Sequence, residues 1–423
     1  MESLINSISK STSTLGFALL LILLAEIPVS KTTKVSAETS GISKICELQT
    51  SRNPSVLETE SKCLYETGRY NEAAQKWEQA AKEYEKIGDK INQGLALSNL
   101  SLSYQKLGSW EQAKTYIQAS LQVLRPKNNQ NTSYNRLQAY AQALDIQANL
   151  AYAQNQTEEA LKIWKQAEQI YIQIEDNSRL MVNQLNQAQA LQILGYHVQA
   201  EKNLSKWKEI LTTGKRQQSS KPGQINQVDS KTQVQGLRIL ANTYRLLGKL
   251  DESEKVLKKA IELNLPKEEK AAMFLSLGNT QRAKAKNLRE LREANNYKEY
   301  KDCKQYESSD KKQLKQQSVD ESQKEFSESD YIRKAKDSYQ KAVDILNQAI
   351  ASSPNNNIKN PSNYLLKNKI QIQLNQISLL SELKENNAQS DAEKIGEILR
   401  EIKPKLKQLP EGRIKIFAQI NLA

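Results

Sequence analysis

Histidine occurs once in this chain of 423 residues, cysteine three times and phenylalanine four times. A structural zinc site needs three or four clustered Cys or His ligands, and three scattered cysteines with one histidine do not supply them. The single histidine, His197, sits in the turn sequence GYHVQA with no cysteine near it, so no Cys–His nucleophile pair is in view. It reads as an exposed turn residue. No glycine-rich phosphate loop is visible. The sequence therefore points to no catalytic residue, no metal and no cofactor. Glycine (14) and proline (9) are scarce as well, which disfavours turn-rich sheet folds. Long apolar runs are missing except for Leu15 to Ala25, and eleven residues fall short of the roughly 20 that span a bilayer.

That short run follows a polar start containing Lys10 and precedes Glu26, Pro28 and the small residues Val35-Ser36-Ala37. Residues 1–37 read as a secretory signal peptide, which places the mature chain outside the cytoplasm. An uncleaved anchor is the alternative and the only route to a membrane. The formal charge is +13, but the lysines are dispersed, as on the solvated faces of a helical array. Export argues against a nucleic-acid partner. Cys46 and Cys63 flank the entry to the first repeat and could pair in an oxidising compartment, whereas Cys303 lies in a polar segment.

What the chain has in quantity is Leu, Ala, Gln, Glu and Lys, arranged in helical hairpins. In residues 234–263, Leu237, Leu240, Ala241 and Tyr244 fall on one helical face. Gly248 ends that helix, and Ser253, Leu257, Ala260 and Ile261 form the answering stripe. A hairpin of this size cannot bury its stripe alone and needs copies stacked beside it. Copies turn at Gly68, Gly108, Asn155 and Gly195. Trp77, Trp110, Trp164 and Trp207 follow these turns and are predicted to pack in the core rather than to form a sugar-binding platform. A further first helix around Phe274, Leu277, Gly278 and Gln281 has its partner only at Tyr339, Ala342, Leu346 and Ala349, before Pro354. Between them, residues 286–330 carry too few aliphatic residues to bury a core.

The predicted organisation is a signal peptide (1–37), a polar lead-in (38–56), a helical array (57–285), a low-complexity insertion (286–330) and a looser array (331–423) punctuated by Pro404 and Pro410. The last unit ends mid-repeat. Its stretch RIKIFAQINLA sets Ile416, Ile420 and Ala423 on one face with Phe417 beside them, so self-association through this carboxyl-terminal helix, or a missing partner domain, is expected.

Leu240-Ala241, Tyr244, Gly248 and Ala260 in one unit, and Tyr339, Ala342, Leu346, Ala349 and Pro354 in another, resemble the tetratricopeptide repeat (TPR) family. The resemblance implies an all-α fold, a TPR-like right-handed α-solenoid of stacked hairpins. The stretches LGNTQRA, IQIQLNQISLL and LPEGRIKIFAQINLA are further similar to the exported, repeat-rich amino-terminal halves of cyanobacterial proteins that end in a caspase-like CHAT peptidase domain. The sequence stops before such a domain, so this second resemblance implies lineage and export and lends no protease activity.

In TPR-like arrays the first helices line the concave side. Arg238, Asn242 and Arg245 lie along one such face, joined by Asn279 and Arg282 in the next unit, and by Asn149 and Tyr152, with Asp145, in the third. Asn amides can hold an extended peptide backbone, and Arg can grip a carboxylate bidentately. The expected function is a non-enzymatic exported scaffold that binds a protein or peptide, acidic in character, in its groove. The alternative is the regulatory part of a split or truncated CHAT-type protease.

Overall fold

The computed structural model describes residues 53–126, 132–213, 228–305, 326–352, 361–382 and 388–406, and within these not the side chains of 231, 295–305, 352, 361–364, 367, 388 and 406. The expected signal peptide, Cys46, Pro354, Pro410 and the carboxyl-terminal apolar helix lie outside the described residues. The described helices are α1 (Pro54–Glu66), α2 (Tyr70–Lys86), α3 (Lys90–Lys106), α4 (Trp110–Leu124), α5 (Tyr134–Ala153), α6 (Thr157–Gln173), α7 (Asn177–Ile193), α8 (His197–Ser205) and α9 (Lys208–Thr213). They continue with α10 (Ser230–Leu246), α11 (Leu250–Glu262), α12 (Lys267–Gln305), α13 (Glu328–Ser352), α14 (Pro361–Ser381) and α15 (Ala388–Leu406). Among the described residues there is no strand. The helices fall into two compact units, and the division passes through α10, after Ile239.

The first unit is a stack of hairpins whose turns share one geometry. Asn53 opens it, its Oδ1 accepting from the Ser55 amide at 3.0 Å with Pro54 as the first helical residue. Gly68, Gly108 and Gly195 all have φ between 73° and 82°, and Asn155 has φ 67°. After each of these, the next amide reaches back five residues: Arg69 to Leu64, Ser109 to Tyr104, Gln156 to Ala151 and Tyr196 to Leu191, all within 2.8–2.9 Å. This is the Schellman closure that a left-handed residue makes available. The turns between repeats follow the same rule, with Gly88 at φ 75° and Glu175 at φ 55°. Asp89 and Asp176 then cap the following helices by accepting from the Asn92 and Arg179 amides at 3.1 Å.

Glu175 is out of place in that series. A residue with a Cβ costs roughly 1–2 kcal/mol in the left-handed region, and its sequence counterpart is Gly88. Glu175→Gly is therefore expected to raise the unfolding free energy by about 0.5–1 kcal/mol, less what glycine adds to unfolded-chain entropy. Denaturant titration checks this, and a lower midpoint would mean the Glu175 side chain contributes a contact that outweighs the strain.

The second helices bury their stripes. The residue seven places after the helix start is Trp77, Ile117, Trp164 or Leu204 in successive hairpins, and none is more than 2% exposed. Trp207, just past α8, is equally buried and donates from Nε1 to Gln184 Oε1 at 2.7 Å. Trp110 corrects the expectation that all four tryptophans are core. It is 39% exposed because it is the first residue of α4, ahead of the buried stripe, and Ile117 fills the place that Trp77 and Trp164 fill elsewhere. His197 opens α8 and is part-buried rather than exposed. Cys63 is disulfide-bonded.

In the second unit, α10 from Leu240 onward pairs with α11 across Gly248 (φ 75°), and Lys249 closes the turn onto Tyr244 O at 2.8 Å. Here α12 is 39 residues long, so the segment expected to be an insertion continues this helix as far as Gln305. Arg289 and Arg292 pair with Glu328 at 2.6 and 3.2 Å, tying the start of α13 to α12. At Gly278 the two helices approach closely, since a Cβ there would sit 2.5 Å from Tyr339 Cε1. Pro404, expected to mark a break, lies inside α15 near its end.

Candidate functional site

Polar side chains on the first helices make up the candidate surface, and each unit arranges them in its own way. In the first unit, Asp145 of α5 accepts from Tyr171 Oη at 2.7 Å and from Asn183 Nδ2 at 2.6 Å. Asn183 Oδ1 accepts from Gln187 Nε2, which also donates to Glu168 Oε2 at 2.9 Å. Glu168 Oε1 in turn accepts from Gln184 Nε2 at 2.5 Å. One chain of hydrogen bonds thus links α5, α6 and α7. It explains why α7 carries the amides of QLNQAQALQ on buried positions, since in a low dielectric every such group needs a partner. Burial pushes the Asp145 carboxyl up to about 7, against the pull of Tyr171, Asn183 and Arg179.

Asn149 and Tyr152 are both buried. The Tyr152 ring lies 5.6 Å from that of Trp164 on α6, which sets it against the second helix rather than on the open face that the spacing predicted. Arg238 also belongs to the first unit and is part-buried.

In the second unit Asn279 bonds Tyr339 and the charges of Arg282 and Arg245 bear on it, while Asn242 is part-buried one turn before Arg245. The Tyr339 hydroxyl donates to Asn279 Oδ1 at 2.8 Å, and Asn375 Nδ2 of α14 donates to the same oxygen at 3.1 Å. Burial pushes the Tyr339 hydroxyl up to about 12, while the charges of Arg282 and Arg245 pull it down. Arg282 forms a bidentate ion pair with Glu382. Arg245 has no ion pair among the described residues. Its Nε is buried and meets no hydrogen-bond partner among the described residues, and burial holds its pKa below the usual arginine value despite the nearby Tyr339.

The hairpin that carries Arg245 also carries a family match. Residues 237–271 match the tetratricopeptide repeat. No curated protein matches the chain. Among solved structures, similarity extends to the TPR-like repeats of a kinesin light chain from Podosopora anserina, at 16% identity over 49% of this chain and 93% of that one, TM-score 0.38. BtubC (BKLC) from P. vanneervenii shows 12% identity over 69% and 94%, TM-score 0.41. A signal transduction ATPase with a tetratricopeptide repeat sensor from Pyrococcus horikoshii shows 14% identity over 84% and 43%, TM-score 0.41. The described residues form an all-α array of helix hairpins, and the hairpin over residues 237–271 matches the tetratricopeptide repeat. The likeness to CHAT-associated proteins rests on the sequence stretches alone.

Tyr339, Asn375 and Glu382 were not singled out as site residues by spacing. Tyr339 was read as an apolar stripe position, which it also is. Asn375 does carry a signal, an amide inside the buried pattern IQIQLNQ. Glu382 has none, because it lies 100 residues from Arg282 in sequence. Among the described residues, no group of three or more His, Cys, Asp or Glu is placed to hold a metal ion, and no helix is long and apolar enough to cross a membrane.

Proposed function

We propose that the protein is an exported, non-enzymatic scaffold that holds a protein or peptide of acidic character on the polar faces of its first helices. The observation that carries this reading is Arg245, a desolvated guanidinium whose buried Nε has no partner and which meets no carboxylate among the described residues. A buried cation without a counter-ion costs stability, and a ligand carboxylate would offset that cost on binding. Asn242 lies one turn before Arg245 on the same helix in the second unit, and Arg238 belongs to the first unit. Arg238→Ala with Arg245→Ala is expected to weaken binding of acidic partners and to flatten its dependence on salt, since exposed charge attraction is screened. Stability should stay level or rise slightly, because removing Arg245 removes an uncompensated buried charge. Affinity capture from the exported fraction over a salt series is the measurement. Unchanged partners and unchanged affinity in the double variant would end the groove reading.

Export is supported by the disulfide at Cys63, since such bonds persist in oxidising compartments. The expected partner is Cys46, and the mature chain is expected to start near Glu38. Closing a loop of that length contributes on the order of 3 kcal/mol in the chain-entropy account, so reduction should lower the melting temperature. Non-reducing peptide mapping of exported protein tests both points: a chain that retains Met1, or one with Cys46 alkylated, would oppose them.

A further inference from the structure

The Arg282–Glu382 pair has an unusual setting. Arg282 Nε donates to Glu382 Oε2 at 2.9 Å and Nη2 donates to Oε1, while Nη2 also reaches Ser378 Oγ at 2.8 Å. The Arg282 side chain is 11% exposed, whereas Glu382 is 43% exposed and sits just beyond the end of α14. A largely enclosed cation is thus held by a carboxylate that remains open to solvent. Arg245 Nε is buried without a hydrogen-bond partner among the described residues, and the charges of both Arg245 and Arg282 bear on the Tyr339 hydroxyl, so among the described residues only one of these two guanidiniums has an acid. The pair's chemistry, a carboxylate gripping guanidinium side-on, is the contact that an acidic ligand would make.

We infer that Glu382 is a built-in competitor: it occupies Arg282 in the free protein, and a carboxylate of an acidic peptide, seated first on Arg245, displaces it. This rests on the reading that acidic peptides bind this surface and adds how their affinity is set. An ion pair with one partner this exposed is worth up to about 1 kcal/mol, so displacing it is feasible, and its loss corresponds to about a fivefold change in affinity. Glu382 would therefore exclude weakly acidic peptides and admit ligands with more than one carboxylate, which can engage both arginines.

The test uses the full mature chain and fluorescein-labelled hexaglutamate, as free acid and as carboxyl-terminal amide. Glu382→Gln is expected to bind the probe about fivefold more tightly than wild type. Glu262→Gln, which makes the same change in net charge at an exposed position on α11, should stay close to wild type. Arg245→Ala should lose binding in both the wild-type and the Glu382→Gln background. Glu382→Asp, whose shorter side chain weakens the bidentate contact, should fall between and serves if Glu382→Gln folds poorly. Equal binding of acid and amide assigns the contact to side-chain carboxylates, a loss with the amide assigns it to the terminus, and either upholds the competition. If Glu382→Gln and Glu382→Asp bind no better than Glu262→Gln, the competitor role is wrong, even where loss in Arg245→Ala keeps the peptide-binding reading. If no protein binds either probe, both readings fall.

Discussion

Replacing Trp164 with alanine is expected to lower the unfolding free energy by about 3–5 kcal/mol. The same change at Trp110 should move it by no more than about 0.5 kcal/mol. The two residues are alike in chemistry and both follow a repeat turn. They differ in phase. Trp164 is the eighth residue of α6, 1% exposed, with the Tyr152 ring beside it, while Trp110 is the first residue of α4 and 39% exposed. Removing the buried indole leaves a cavity that the hairpin cannot close, because Ala160 and Ala167 on either side are fully buried and small. Removing the exposed one returns a ring to a solvent it already meets. Urea titration of the two variants decides the matter. Similar losses at both sites would mean that Trp110 is covered in the folded protein.

The second large effect concerns pH. Asp145 is held up to about 7 in the fold, chiefly by burial, whereas an unfolded aspartate titrates near 3.9. The folded state therefore binds a proton more tightly than the unfolded state, and the sign is opposite to that of a salt-bridged carboxylate. Stability should rise as pH falls from about 7 toward about 4, and be lost again as pH climbs through 7. Three pH units correspond to roughly 4 kcal/mol as an upper limit, reduced by whatever solvent reaches this part-buried residue. Asp145→Asn removes the titrating group and keeps an acceptor for Tyr171. The difference between wild type and Asp145→Asn should therefore change between pH 5 and pH 8, with the variant gaining relative to wild type at pH 8. A difference that is flat across that range would show an ordinary carboxylate, kept ionised by its hydrogen bonds.

The lower-energy features follow from the same turn geometry. Five turn positions were legible in sequence because the left-handed region favours Gly or, at Asn155, a residue that tolerates it. Glu175 was not legible, since nothing in a glutamate signals left-handed backbone. Only its place in the repeat, matching Gly88, reveals it.

By itself the sequence determined the helical hairpins and their turns. Apolar spacing at 3.6 residues and glycine at most of the reversals are local properties, and they survive translation into structure almost unchanged. It also determined which residue types are too rare for zinc or Cys–His chemistry. What only the tertiary structure decided is which polar residues are spoken for. Asn279 is held by Tyr339 and Asn375, Arg282 by Glu382, and Asp145 by Tyr171 and Asn183, across separations of 26 to 100 residues. Periodicity places a side chain on a face of its own helix. Whether that face meets solvent or a neighbour depends on how hairpins stack, and stacking is set by close approaches such as Gly278 on Tyr339 that no local pattern encodes.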